Sequence, residues 1–245
     1  MINLTLVLPA HNEELSIRQT IREIVDKVPT NINLTIFVSE DGSSDSTREI
    51  VNEESIRTTK CKIKLSETAG RLGYSKAVVR GISSCETEII AFMDSDGQVD
   101  PEDFFQLLRY LEAEKFVTGY RDPRNDPLIR IIYSLLFGFA YTLLGGPIRK
   151  DPSSPFVVCY LKDVKFLTQV NLKLEFGFWW EFQWRLNSKG LKTNEIPIKH
   201  RIRTAGSTKV YSIRRIPKIA LTHVVGLLKL RHEINTHLFS KKLTN

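Results

Sequence analysis

Apolar runs of five or six residues alternate with stretches of helical spacing over the first 120 residues. LTLVL (4–8), LTIFVS (34–39), CKIKLS (61–66), EIIAFM (88–93) and KFVTGY (115–120) have the length and the β-branched and aromatic content of strands. Between them, Leu15, Ile17, Ile21, Ile24 and Val25 fall near a helical repeat, and YSKAVVRGI (74–82) reads as a further helix. Asp45 or Ser46 is placed to cap a helix after EDGSSDST. DPEDFFQLLRYL puts Pro101 in an acid-rich first turn, which starts another. Strands alternating with helices predict an α/β fold, a mostly parallel sheet with helices on both faces. Ligands of such sheets gather beyond the carboxyl ends of the strands. Polar clusters fall at those ends: His11-Asn12-Glu13, Glu40-Asp41-Gly42-Ser43, Asp94-Ser95-Asp96 and Tyr120-Arg121.

The second half is patterned differently. Eighteen uncharged residues, IIYSLLFGFAYTLLGGPI, lie between Arg130 and Arg149. Gly145-Gly146-Pro147 break the end of this run, which favours a buried or interfacial helix over one that spans a bilayer. Ten uncharged residues between Lys218 and Lys229 are too few to span. Their cationic flanks suit a helix lying on an anionic surface, while docking on the core or on a second copy suits it equally. Trp179, Trp180 and Trp184 sit in a helix-like run as packing residues, with Glu181 among them as a candidate acceptor-side acid.

Charge sharpens the division. Residues 1–125 carry 15 Lys and Arg against 21 Asp and Glu, and residues 126–245 carry 20 against 7, nets of −6 and +13. A basic half suggests an anionic partner, for which nucleic acid, a lipid headgroup and a phosphorylated substrate all qualify, beside plain solvation. Cys61, Cys85 and Cys159 follow no metal-ligand spacing and read as free thiols of a reducing cytoplasm. Met1 leads straight into a strand-like run, with no pattern of a signal peptide.

The stretch AFMDSDGQVDPEDF (91–104) carries the most specific chemistry. Residues two apart in extended backbone point the same way, so Asp94, Asp96 and Gln98 would converge if the extended course continued past the strand. Two carboxylates and an amide oxygen are hard ligands suited to Mg or Mn, ions that complete their shell with water and substrate phosphate. The plainer reading is an acidic loop that caps a helix, but Asp100, Glu102 and Asp103 already supply acids there.

VLPAHNEE, VSEDGSSDST, GYSKAVVRGI, IIAFMDSDGQVDPEDF and VTGYRDP resemble, in order and spacing, the successive motifs of glycosyltransferase family two, which has the GT-A fold. FGFWWEFQWRLNSKGLKTNEIPIKHRIRTAGSTK (176–209) extends the resemblance, which looks strongest to the polyprenyl-phosphate sugar transferases, the dolichol-phosphate mannosyltransferase group. That resemblance implies a GT-A-like catalytic domain over residues 1–210. Residues 1–120 would bind the nucleotide sugar, residues 121–210 would face the acceptor, and residues 211–245 would form an interfacial helix and tail. It implies nucleotide contacts at Pro9, His11, Glu13, Ser39 and Asp41, and a metal site at Asp94, Asp96 and Gln98. Arg121, Arg130, Arg203 and Lys209 would hold the donor diphosphate and the acceptor phosphate.

The function so implied is inverting transfer of a hexose from a nucleotide sugar to a polyprenyl phosphate, dependent on Mg or Mn. The enzyme would lie peripherally on the cytoplasmic face of a membrane, with no nucleic acid as partner and with a second copy or a membrane-anchoring subunit as a further one. A saccharide or other non-lipid acceptor, a non-catalytic nucleotide-sugar-binding subunit and a nucleotidyltransferase are the alternatives.

Overall fold

The computed structural model describes residues 1–125, 128–174, 177–201 and 216–243; the side chains of 130, 216–219 and 237–243 also lie outside the description. The chain forms two compact units. Unit 1 comprises Met1–Asn125, Ser154–Val170 and Thr193–Ser207, and unit 2 comprises Asp126–Ser153, Asn171–Lys192 and Thr208–Asn245.

Unit 1 is built on β1 (Ile2–Ala10), α1 (Ile17–Lys27), β2 (Ile32–Glu40), α2 (Thr47–Arg57), β3 (Lys62–Ser66), α3 (Tyr74–Ser83), β4 (Ile89–Phe92), α4 (Pro101–Gln106), β5 (Lys115–Arg121), β6 (Val157–Tyr160), α6 (Leu161–Val164) and β7 (Lys192–Ile198). Seven strands form one sheet in the order β3-β2-β1-β4-β6-β5-β7. β1 pairs in parallel with β2 and β4, and β2 with β3. The expected α/β architecture is therefore present, with two strands, β6 and β7, beyond the five named from the sequence. β6 inserts between β4 and β5 and runs antiparallel to both, which makes the sheet mixed.

Both sheet faces are covered, as strand alternation requires. Leu4, Leu6 and Leu8 of β1 pack with Ile17, Ile21 and Ile24 of α1 and with Phe104 and Phe105 of α4. Val7, between them, lies against Gly81 of α3 on the other face. The three cysteines are unpaired.

Unit 2 contains α5 (Leu128–Leu143), α7 (Phe178–Ser188) and α8 (Ile216–Leu243). Phe137 and Tyr141 of α5, Trp180 and Trp184 of α7, and Leu227, Leu230 and Ile234 of α8 form its core with Leu174. The tryptophans are packing residues: Tyr141 meets Trp180 and Trp184 edge to face, and its hydroxyl donates to the Trp180 carbonyl. Among the described residues no helix is long and apolar enough to cross a membrane. The uncharged run after Arg130 ends its helix at Leu143, just before Gly145 takes a φ of +99°.

Candidate active site

The polar clusters of unit 1 lie at the carboxyl ends of β1, β2 and β4, where parallel strands leave main-chain groups and loop side chains beyond the sheet. They are cross-linked. Ser95, buried in the loop after β4, donates its hydroxyl to the Pro9 carbonyl at 2.9 Å and accepts Thr20 Oγ1 of α1 on its own carbonyl at 3.1 Å. His11 Nδ1 lies 2.8 Å from the Asp41 carbonyl. The Glu13 main-chain amide donates to Thr47 Oγ1, and the Glu13 carboxylate accepts the Ser16 hydroxyl at 2.8 Å.

Asp41 does more than end a strand. Its two carboxylate oxygens accept the Leu72 and Gly73 amides at 2.7 and 2.8 Å, which binds the loop before α3 to the end of β2. Gly42 makes this packing feasible: at φ +67°, an added Cβ would stand 2.4 Å from the Gly70 carbonyl carbon. Ser39 is placed differently from its expected role. It is fully buried, its hydroxyl donating to the Ala77 carbonyl and accepting from Arg80 Nε, so that hydroxyl is held inside the β2–α3 packing. Glu40, also buried, binds the Ser43 amide and the Arg48 guanidinium. Burial opposes its ionisation, but these donors outweigh burial and hold its carboxyl below the usual range.

The loop Asp94–Gln98 corrects the alternation argument. Extended backbone stops at β4; a turn follows, with Gly97 at φ +72°. Asp96 Oδ1 accepts the Gln98 amide across this turn at 3.2 Å. The three expected ligands are thus presented by a turn rather than by strand pleating, and all three are half-buried. Tyr74, at the start of α3, donates its hydroxyl to Asp94 Oδ1 at 2.8 Å. The Gln98 side-chain amide nitrogen donates to the Arg201 carbonyl at 3.3 Å, which leaves its oxygen as the donor atom available to a cation. Two carboxylates and an amide oxygen on one short loop, accessible to solvent, fit a hard divalent ion that retains water and phosphate ligands.

Arg121 ends β5 and is nearly buried. The side chain of Arg130 and all of Arg203 and Lys209 lie outside the described residues. Glu181 does not serve as the acceptor-side acid expected of it. It is fully buried, accepting the Lys173 and Leu174 amides at 2.7 and 2.8 Å and Arg185 Nε at 2.8 Å, so its carboxylate is occupied in holding unit 2 together. His200 is likewise buried, its Nδ1 accepting the Asn125 amide.

Sequence reasoning missed Tyr74, the Leu72 and Gly73 amides and Arg201. Tyr74 lay in view as the first residue of a predicted helix behind a Gly-flanked loop, but its partner is 20 residues away.

A family model described as glycosyl transferase family 2 matches residues 5–202. An uncharacterized glycosyltransferase of Bacillus subtilis, YkcC, is 30% identical over 122 residues, covering 49% of this chain and 35% of that protein. The dodecaprenyl-phosphate galacturonate synthase of Rhizobium johnstonii is 28% identical over 134 residues, covering 52% of this chain and 38% of that protein. The chain thus spans well under half the length of these two relatives. In fold, it is similar to the glucosyl-3-phosphoglycerate synthase of Mycobacterium tuberculosis, crystallised with Mn2+, UDP and glucosyl-3-phosphoglycerate. The TM-score is 0.66 at 17% identity, covering 94% of this chain and 80% of that one.

Proposed function

Because the chain belongs to glycosyl transferase family 2, we propose that it transfers a hexose, with inversion, from a nucleotide sugar to a polyprenyl phosphate of the dolichyl or undecaprenyl type at the cytoplasmic face of a membrane. The observation that carries the lipid acceptor is the outward face of α5. Leu128, Ile132, Leu135, Phe139 and Leu143 recur at helical spacing and are all exposed. At 16 residues the helix is about 24 Å long, short of the ~30 Å hydrocarbon core. Leu221, Val224, Val225 and Leu228 of α8, which packs against α5, are exposed as well. Apolar helical faces of this kind suit a bilayer interface, and the +13 of residues 126–245 favours anionic headgroups. The R. johnstonii relative, named for a dodecaprenyl-phosphate product, supports the same reading.

In this reading Asp94, Asp96 and Gln98 hold Mg or Mn, and Pro9, His11, Glu13 and Asp41 surround the nucleoside. A bound divalent cation would neutralise the charge growing on the departing diphosphate. Arg121, Arg130, Arg203 and Lys209 bring the donor and acceptor phosphates together against their repulsion, a task for which arginine is well shaped. The acceptor phosphate is already anionic near neutral pH and needs no strong general base, consistent with the burial of Glu181. With no enzyme nucleophile invoked, the acceptor oxygen displaces the diphosphate in one step, and an α-linked donor yields a β-linked product.

The test incubates the protein with radiolabelled nucleotide sugars, Mn2+ and polyprenyl phosphate, then extracts into organic solvent. Label should enter the organic phase only when the lipid is present, as a β-linked phosphodiester by NMR coupling. Label transferred only to soluble phosphates or saccharides would overturn the lipid acceptor.

A further inference from the structure

Gln98 is joined to the chain that follows β7 by two hydrogen bonds, next to an isolated antiparallel bridge. Its main-chain carbonyl accepts the Arg201 amide at 2.7 Å, its side-chain Nε2 donates to the Arg201 carbonyl at 3.3 Å, and its neighbour Val99 bridges His200 in antiparallel fashion. The Arg201 guanidinium anchors this junction from outside. It reaches Glu23 Oε2 of α1 at 2.7 Å and Asp100 Oδ2, the cap of α4, at 2.5 Å. Lys27 takes the other Asp100 oxygen at 2.6 Å.

A side-chain amide is nearly symmetric in shape but opposite in chemistry at its two ends. A carbonyl accepts only from the nitrogen end, so the Arg201 carbonyl selects the rotamer in which Oε1 is turned away from it. Among the described residues Oε1 makes no hydrogen bond. Without the 201 carbonyl, no described hydrogen bond selects between the two amide orientations, and in the turned one an NH2 group would face the cation.

We propose that Arg201 is a positioning residue for the metal site. Its two-carboxylate anchorage fixes the 201 carbonyl, the carbonyl fixes the Gln98 amide, and the amide presents its oxygen to the divalent ion. This rests on the reading that Asp94, Asp96 and Gln98 hold that ion. The same junction leads directly into residues 202–215, which include Arg203 and Lys209.

Mn2+ titrated alone, and again with saturating nucleoside diphosphate, tests this by the loss of the free-ion signal in electron paramagnetic resonance. Arg201→Ala should weaken Mn2+ binding about tenfold, as loss of an orienting partner does at other metal sites. Arg201→Lys should recover part of the loss. Gln98→Ala should weaken binding similarly, and the double variant should be no worse than Gln98→Ala alone. Glu23→Gln, which removes one anchor from α1, should show a smaller loss and serves if Arg201→Ala does not fold. Wild-type affinity in the folded Arg201 and Glu23 variants, or additive losses in the double variant, would overturn the role of Arg201. Undiminished Mn2+ binding by Asp96→Ala would instead overturn the metal site itself, so the two failures are distinguishable.

Discussion

Asp96 in unit 1 and Glu181 in unit 2 are both carboxylates in polar company, and the fold treats them oppositely. Asp96 stands half-buried on a turn, its Oδ1 accepting the Gln98 main-chain amide. Glu181 is sealed from solvent by two main-chain amides and Arg185, which continues to Glu233 and Lys173. In unit 1 the carboxylates of Asp94 and Asp96 are half-buried on a loop beyond the sheet, while Glu40 and Asp41 at the end of β2 are buried on donors of their own. Unit 2 buries its acid in an ion network and leaves apolar side chains outside. An acid beside tryptophans is therefore no guide to catalysis; what its oxygens already hold is the better guide.

The sharpest way to break this contrast is to remove each carboxylate. Asp96→Ala should lower turnover by about a thousandfold or more, since ion-assisted charge stabilisation is worth several kcal/mol, while the melting temperature stays close to wild type. Glu181→Ala should do the reverse. It strands the buried Arg185 and two amides, so denaturant titration should show a loss of about 3–5 kcal/mol, with Mn2+ affinity of the folded fraction unchanged. If Glu181→Ala abolished turnover in a fully folded protein, the structural assignment would be wrong.

Acid should separate the units next. His223 of unit 2 is buried with Nδ1 2.8 Å from the Tyr133 hydroxyl, and burial lowers its pKa from 6.5 to about 4. The unfolded chain then takes up a proton near pH 6.5 that the folded chain refuses until about pH 4. The stability this His leaves intact at pH 7 is lost as the pH falls through that window, by up to ~3 kcal/mol. Denaturation curves of His223→Gln should be flatter than wild type between pH 7 and 4; an identical slope would count against this placement. The smallest effect is expected at Tyr74. Removing its hydroxyl in Tyr74→Phe takes one neutral donor from Asp94, about 1 kcal/mol, and Mn2+ binding should weaken roughly fivefold.

Much of unit 1 was legible because its signals are local. LTLVL, LTIFVS and EIIAFM carry strand composition in themselves, and the clusters at their ends follow directly in sequence. β6 was not named from the sequence: it is four residues long, and its place between β4 and β5 rests on pairings with distant segments. The Asp94–Gln98 loop was legible in residue types but not in geometry, since Gly97 turns a chain that alternation would have kept extended. Ser39 and Asp41 show the same limit. Two residues apart on one strand end, one hydroxyl is buried under Ala77 and one carboxylate grips residues 72 and 73, contacts that only the packing of α3 creates. In unit 2, the uncharged run after Arg130 marked α5 as apolar but did not tell its buried face, Phe137 and Tyr141, from its exposed one.

The division of labour between the units is the central claim, and the exposed face of α5 tests it most directly. Leu135 and Phe139 are 69% and 72% exposed, so Leu135→Glu with Phe139→Glu should leave the core intact. Transfer to polyprenyl phosphate embedded in anionic vesicles is measured beside Mn2+–nucleoside diphosphate binding in the same preparation. The account predicts at least a tenfold fall in transfer and in vesicle co-sedimentation, with donor binding unchanged. Undiminished transfer from vesicles, or an equal loss of donor binding in the folded variant, would contradict it.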